Sequence, residues 1–110
     1  MATGSDSHGA PTDLPEHVVT DLLAAERRRI ALSYLAERDG PVALDDLAAV
    51  VRAREQNTTP DAVTESERRA VRDEFFETHL PKLTATDVVE YDSMIATVAL
   101  ADDRILAHVS

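Results

Sequence analysis

The stretch from Thr64 to Leu83 constrains this chain more than any other. Thr64 and Glu67 have the spacing of a capping box, in which each side chain satisfies a free backbone donor of the first helical turn. From there Val71, Phe75, His79 or Leu80, and Leu83 recur every three to four residues, the period of one buried helical stripe. Arg68, Arg69 and Arg72 are predicted on the opposite face, towards the helix start. Thr84-Ala85-Thr86-Asp87 follows as a turn, with Asp87 placed for the left-handed conformation that Asp tolerates better than most residues. Val88 to Tyr91 and Ile95 to Leu100 then alternate around Asp92-Ser93-Met94 and predict a hairpin.

Upstream, Asp13, Pro15 and Glu16 signal a helix start, and Val18, Val19, Leu22 and Leu23 supply an apolar face that can pack on the domain or on a second copy. Glu26-Arg27-Arg28-Arg29 opens or continues the next helical segment, whose Ala31, Leu32 and Leu35 form one stripe. Periodicity leaves open whether Ala24-Ala25 interrupts the two. One of the three arginines must lie towards the core and lay its stem on it. Asp39-Gly40-Pro41 ends the segment, with Gly40 suited to the left-handed conformation and Pro41 unable to continue a helix. Val42-Ala43-Leu44 suffices for a minimal strand. Asp45 is the expected N-cap of a helix from Asp46 to Arg54, with Leu47, Ala48 and Val51 facing inwards. The linker from Gln56 to Val63 contains Thr59-Pro60-Asp61, which suits a short helical turn. Residues 1–12 carry almost nothing to bury and read as a disordered tail, leaving residues 13–110 as one domain. Ile105 to Val109 is apolar enough to dock on it.

A chain of 110 residues buries roughly two thirds of its unfolded surface and needs no staples. It has no cysteine, so neither disulfides nor thiolate metal sites are available. No apolar run reaches the roughly 18 residues of a membrane span, and the first residues lack the regions of a signal peptide, which predicts a soluble cytoplasmic protein. The 21 acidic residues outnumber 11 basic ones, and of the latter only Lys82 is a lysine. Such a surface resembles those of salt-loving archaeal proteins. At about 1 M salt the screening length falls to roughly 3 Å, so a net charge of −10 repels DNA far less than it does in dilute buffer.

Three segments carry a family resemblance: Leu22 to Leu32, Val42 to Ala48, and Thr78-His79-Leu80-Pro81-Lys82-Leu83 with Val88-Val89-Glu90-Tyr91-Asp92. Together they resemble a haloarchaeal family of small uncharacterised winged-helix domains and, more distantly, ArsR and MarR regulators. The resemblance implies a mainly α fold with a small β-hairpin, a winged helix-turn-helix that binds double-stranded DNA and can form a homodimer, for which the apolar N-terminal helix is the candidate surface. Thr64 to Leu83 becomes the recognition helix, with Asp46 to Arg54 as its support. The linker between them is longer than the about three or four residues usual in this motif, and the hairpin tip carries no Arg or Lys.

The candidate DNA contacts are Arg68, Arg69 and Arg72, because Arg can donate a bidentate pair to guanine, with Arg28, Arg29 and Lys82 as backbone contacts. The competing readings are a solvated helix face for the first three, structural use of Arg28 or Arg29, and capping of a helix end by Lys82. His79 lies in the apolar stripe and reads as a hydrogen-bonded core histidine before a pH sensor. His8, His17, His79 and His108 lack metal-ligand spacing. No phosphate loop or partnered nucleophile occurs, so neither catalysis nor a cofactor is expected. The expected function is DNA binding in transcription regulation. The alternative is an interaction module without DNA binding, and the two differ in whether carboxylates neutralise the arginine face.

Overall fold

A computed structural model describes residues 14–109. The expected tail over residues 1–12 lies outside the described residues. The fold is mainly helical with one small antiparallel sheet: α1 (Glu16–Leu22), α2 (Glu26–Ala36), β1 (Val42–Ala43), α3 (Leu44–Glu55), α4 (Glu65–Glu74), α5 (Leu80–Ala85), β2 (Val89–Asp92) and β3 (Thr97–Leu100). Single 3₁₀ turns at Pro60–Ala62 and Asp103–His108 complete it.

Ala24 and Ala25 do interrupt the first two helices. The apolar face of α1 turns onto its own domain, where Val19 and Leu22 are buried, so the face suggested for a second copy is largely covered within the chain. Leu32 and Leu35 of α2, Leu47 and Val51 of α3, Val71 of α4, Phe75, Leu83, Val88, Val98 and Ile105 share one core. Burying one Leu or Phe side chain contributes about 1.5–3 kcal/mol, so this cluster is the main driving force for folding.

Two helix ends depart from expectation. Gly40 takes no left-handed conformation, and no described glycine has positive φ. Helix α2 stops earlier, at Ala36, where the amides of Glu37 and Arg38 bond back to Tyr34 and Leu35 in a tightened last turn. Asp45 is not the N-cap of α3. The helix begins at Leu44, whose N–H donates to the Ala96 carbonyl of the hairpin at 2.9 Å, and Asp45 and Asp46 sit in the first turn, where a carboxylate suits the helix dipole.

Helices α3 and α5 both end in Schellman motifs that use Asn57 and Asp87 where glycine is usual. Asn57 has φ 55° and Asp87 φ 62°. The Thr58 amide bonds the Ala53 carbonyl at 2.9 Å, and the Val88 amide bonds that of Leu83 at 3.0 Å. The second motif places Val88 against Leu83, both fully buried, and delivers the chain into β2.

Strand β3 is central in the order β1-β3-β2, paired antiparallel on both sides with Val42 opposite Val98 and Tyr91 opposite Val98. Two short strands on either side of a third suit Val98, which is buried while its neighbours are partly open. The hairpin tip spans residues 93–96 and is set one or two residues later than the alternation predicts, with Ala96 at φ 53°.

Asp87→Gly removes the cost of a side chain at positive φ and is expected to raise stability by roughly 0.5–1 kcal/mol, whereas Asp87→Val lowers it by roughly 1–2 kcal/mol. Urea unfolding midpoints check both, and equal midpoints for the two variants contradict the assignment.

Candidate nucleic-acid interface

Helix α4 packs on α3 and leaves its other side open. Its start is a full capping box: Thr64 Oγ1 accepts from the Glu67 amide at 3.1 Å, and Glu67 Oε1 accepts from the Thr64 amide at 3.0 Å. The Glu67 carboxylate also accepts from Gln56 Nε2 at 3.1 Å and Arg52 Nη2 at 3.4 Å. These bonds, led by that to the Thr64 backbone, hold its pKa below the usual carboxylate range. One glutamate therefore ties the long linker and α3 to the start of α4.

The predicted stripe Val71, Phe75, His79, Leu80 and Leu83 is buried as the spacing requires. The three arginines do not share the opposite face. Arg69 alone points outwards, paired with Glu65 one turn earlier at 3.0 Å. Arg72 lies half-exposed at one flank, bonding Asp45 of α3 at 2.9 Å and lying 3.4 Å from Asp73. Its pKa is raised, chiefly by Asp45. Arg68, one turn before Arg72 on the same flank, is half-buried and has no ion-pair partner among the described residues.

The remaining predicted contacts are occupied. Arg28 is buried, which removes it from any surface contact: Nε donates to the Leu22 carbonyl at 2.6 Å, Nη2 to the Asp21 carbonyl at 2.7 Å, and Nη1 to His79 Nδ1 at 2.9 Å. Arg29 donates to the Leu23 carbonyl. Together they satisfy carbonyls at the end of α1 that the helix itself leaves without donors. Lys82 reaches Asp21 of α1 at 3.1 Å.

Arg27, which the sequence offers only as one of three successive arginines, is a structural link. Its guanidinium grips both oxygens of Glu55, at 2.7 and 3.2 Å, and donates to Glu74 Oε1 at 2.7 Å, joining α2 to α3 and α4. Its pKa is raised, the Glu55 hydrogen bond being the largest cause. The only sequence signal was the run of three arginines, which spans most of a helix circumference and so must turn at least one inwards.

Between α4 and α5 the helix widens over Phe75–His79 into a π turn, in which the Leu80 amide reaches back to the Phe75 carbonyl. Pro81 supplies the reason. In a regular helix its ring clashes with the carbonyl four residues back, at Glu77, and it offers no N–H to that carbonyl; the wider turn relieves this. The π turn also swings His79 into the core, its ring 5.5 Å from that of Phe75. Because arginine is always a donor, His79 Nδ1 must accept, which places the ring proton on Nε2. Glu74 Oε2 lies 3.2 Å from Nε2 but off the hydrogen-bonding direction. Burial lowers the His79 pKa, Glu74 opposes this, and Arg28 reinforces it. Burial alone raises the Glu74 pKa, but Arg27 and His79 outweigh it and hold the value below the usual range.

The chain from the end of α1 to β3, residues 20–99, matches the family described as Domain of unknown function (DUF7344). The chain belongs to that family. Its DUF7344 region includes every candidate site residue: Arg28, Arg29, Arg68, Arg69, Arg72 and Lys82. No curated protein and no solved structure matches the chain. No described helix is long and apolar enough to cross a membrane.

His79 has an ordinary pKa near 6.5 when unfolded and a lower one when folded. Its contribution to stability is therefore complete above pH 6.5 and declines as pH falls from there through the folded value, because the unfolded chain takes up the proton first. Denaturation at stepped pH should show this decline, and His79→Asn, which keeps an acceptor for Arg28 but no titratable ring, should flatten it. Arg28→Met should cost about 3 kcal/mol, since it strands the Leu22 carbonyl and His79 Nδ1, while the Asp21 carbonyl keeps the Ala24 amide.

Proposed function

We propose that the chain is a winged helix-turn-helix protein that binds double-stranded DNA and regulates transcription, as a haloarchaeal relative of that fold. The observation that carries the reading is the order of elements: α2, β1, α3, then α4 with α5, then the β2–β3 hairpin, with β1 paired to β3. In a winged helix, α3 is the supporting helix, α4 enters the major groove and the hairpin is the wing. Here α4 has an open outer side and is braced from behind by Arg27, Arg52 and Arg72. Arg69 stands on that side and Arg68 at its edge, the first in an exposed pair with Glu65 that is worth at most a few tenths of a kcal/mol and yields readily to phosphate or guanine. Arg29 and Lys82 are engaged with α1 and are secondary, and Arg72 acts through Asp45 as a brace.

A second reading, an interaction module that does not bind DNA, draws on the carboxylates beside those arginines. Glu65 and Asp73 share the exposed side of α4 with Arg69, Glu77 is exposed in the π turn that follows, and the wing tip carries no cation. In dilute buffer that face repels a phosphate backbone; in near-molar potassium chloride the repulsion is screened within about 3 Å.

Fluorescence anisotropy with the chain's own promoter region and with unrelated DNA, in near-molar potassium chloride, separates the readings. The DNA reading expects retention of the promoter fragment, and Arg68→Ala with Arg69→Ala is expected to weaken it by roughly 1–3 kcal/mol with little change in melting temperature. A folded protein that binds neither DNA supports the interaction module.

A further inference from the structure

We infer that the groove between α4 and the β2–β3 hairpin docks a cationic amphipathic segment of another protein. The groove holds about 450 Å³ and is lined on its apolar side by Leu44, Phe76, Tyr91 and Ile95. Three large apolar side chains stand in solvent beside it: Phe76 is 48% exposed, Ile95 65% and Met94 92%. Phe76 and Tyr91 face each other edge-on with ring centroids 5.7 Å apart, one from the helix and one from the sheet, so the walls of the groove are already set. Phe75 continues the buried stripe one turn after Val71, so Phe76, over a quarter of a turn further round, points out. Apolar groups so placed are stabilised when a partner covers them, and here Met94 and Ile95 stay open and Phe76 is only half covered.

Charge selects the occupant. Along one side of the groove Arg72 is held by both Asp45 and Asp73, leaving the lip with an excess of carboxylate. Glu77, next to Phe76, is exposed as well, whereas Glu90 and Asp92 alternate with Tyr91 along β2 and line a separate pocket with Pro41 and Thr97. A second copy of this chain brings the same carboxylates face to face in a molecule of net charge −10. DNA meets a tip with no Arg or Lys, in which Asp92 turns its carboxylate to the Met94 amide at 3.0 Å. A segment with leucine-like side chains on one face and lysine or arginine at its margins satisfies both the apolar walls and the acidic rim, the helix-in-groove mode of recognition. The proposal goes beyond DNA binding and does not depend on it, because the groove uses neither Arg68 nor Arg69.

The test uses the full chain and two labelled peptides of about 18 residues, long enough for five helical turns. One has leucine and lysine at helical spacing; the other has serine in place of every leucine at the same charge. The leucine peptide is expected to bind at least about tenfold more tightly than the serine peptide. Met94→Ser with Ile95→Ser should erase that difference, with the circular-dichroism melt unchanged because both side chains are exposed, while Arg68→Ala with Arg69→Ala should leave it intact. Equal binding of the two peptides, or a leucine preference that survives Met94→Ser with Ile95→Ser, overturns the proposal. So does a concentration-dependent dimer in sedimentation that Met94→Ser with Ile95→Ser abolishes, since the groove then serves a second copy. A DNA affinity that depends on Met94 and Ile95, with no leucine preference, also overturns it by assigning the tip to DNA.

Discussion

The π turn that follows α4 is fastened to the first two helices by a buried guanidinium. Arg28 has no carboxylate partner; its positive charge is met by the carbonyls of Asp21 and Leu22 and by the lone pair of His79. A cation so placed is costly to desolvate, and the compensation comes from the negative end of α1 and from three short donor contacts. The consequence is directional. The end of α1, the start of α2 and the π turn beyond α4 are fixed to one planar group, whose fork accepts little angular freedom. Arg27, one residue earlier, faces the other way and fastens α3 and α4 through Glu55 and Glu74. Two adjacent residues thus bind four helical segments, and the apolar core fills the space between them.

From that clamp follows the shape of the exposed surface. His79 reaches Arg28 only because the helix widens, and the helix widens because Pro81 cannot sit in a regular turn above Glu77. Two consecutive phenylalanines open that segment and point apart, as neighbours on a helix do. Phe75 enters the core and stacks near His79, while Phe76 leaves it and meets Tyr91 over the sheet. A core contact at Arg28 and an apolar groove at the hairpin thus border one short segment. The outer side of α4, ahead of the irregularity, stays a regular helix with Arg69 and its neighbouring carboxylates in solvent.

What the sequence disclosed was what depends on local rules. The Thr64 and Glu67 capping box, the left-handed Asp87, the buried stripe through Leu83 and the hairpin all follow from contacts within a few residues, and all are present. The failures concern partners far apart in the chain. Asp45 looked like a cap because its spacing to α3 is right, yet the Leu44 amide is satisfied by Ala96, some fifty residues away on the other side of the chain, and Asp45 instead holds Arg72. Arg68, Arg69 and Arg72 looked like one open cationic face because only their spacing was visible; the carboxylates that engage Arg69 and Arg72 lie on another turn and another helix. Of three successive arginines, geometry requires one inside, but nothing local says that it is Arg28 or that Arg27 links three helices. The π turn was foreshadowed by Pro81, which marks a distorted turn without saying how it distorts.

The clamp has one property that a single observation decides. If Arg28 donates to Nδ1 of a neutral His79, the ring proton resides on Nε2, facing Glu74. Long-range nitrogen–proton correlation spectra of the histidine rings at neutral pH read this directly. The account predicts for His79 an unprotonated, hydrogen-bonded Nδ1 and a protonated Nε2, a pattern that Arg28→Met shifts. A doubly protonated His79 ring, or a proton on Nδ1, contradicts it, because neither can accept from Arg28.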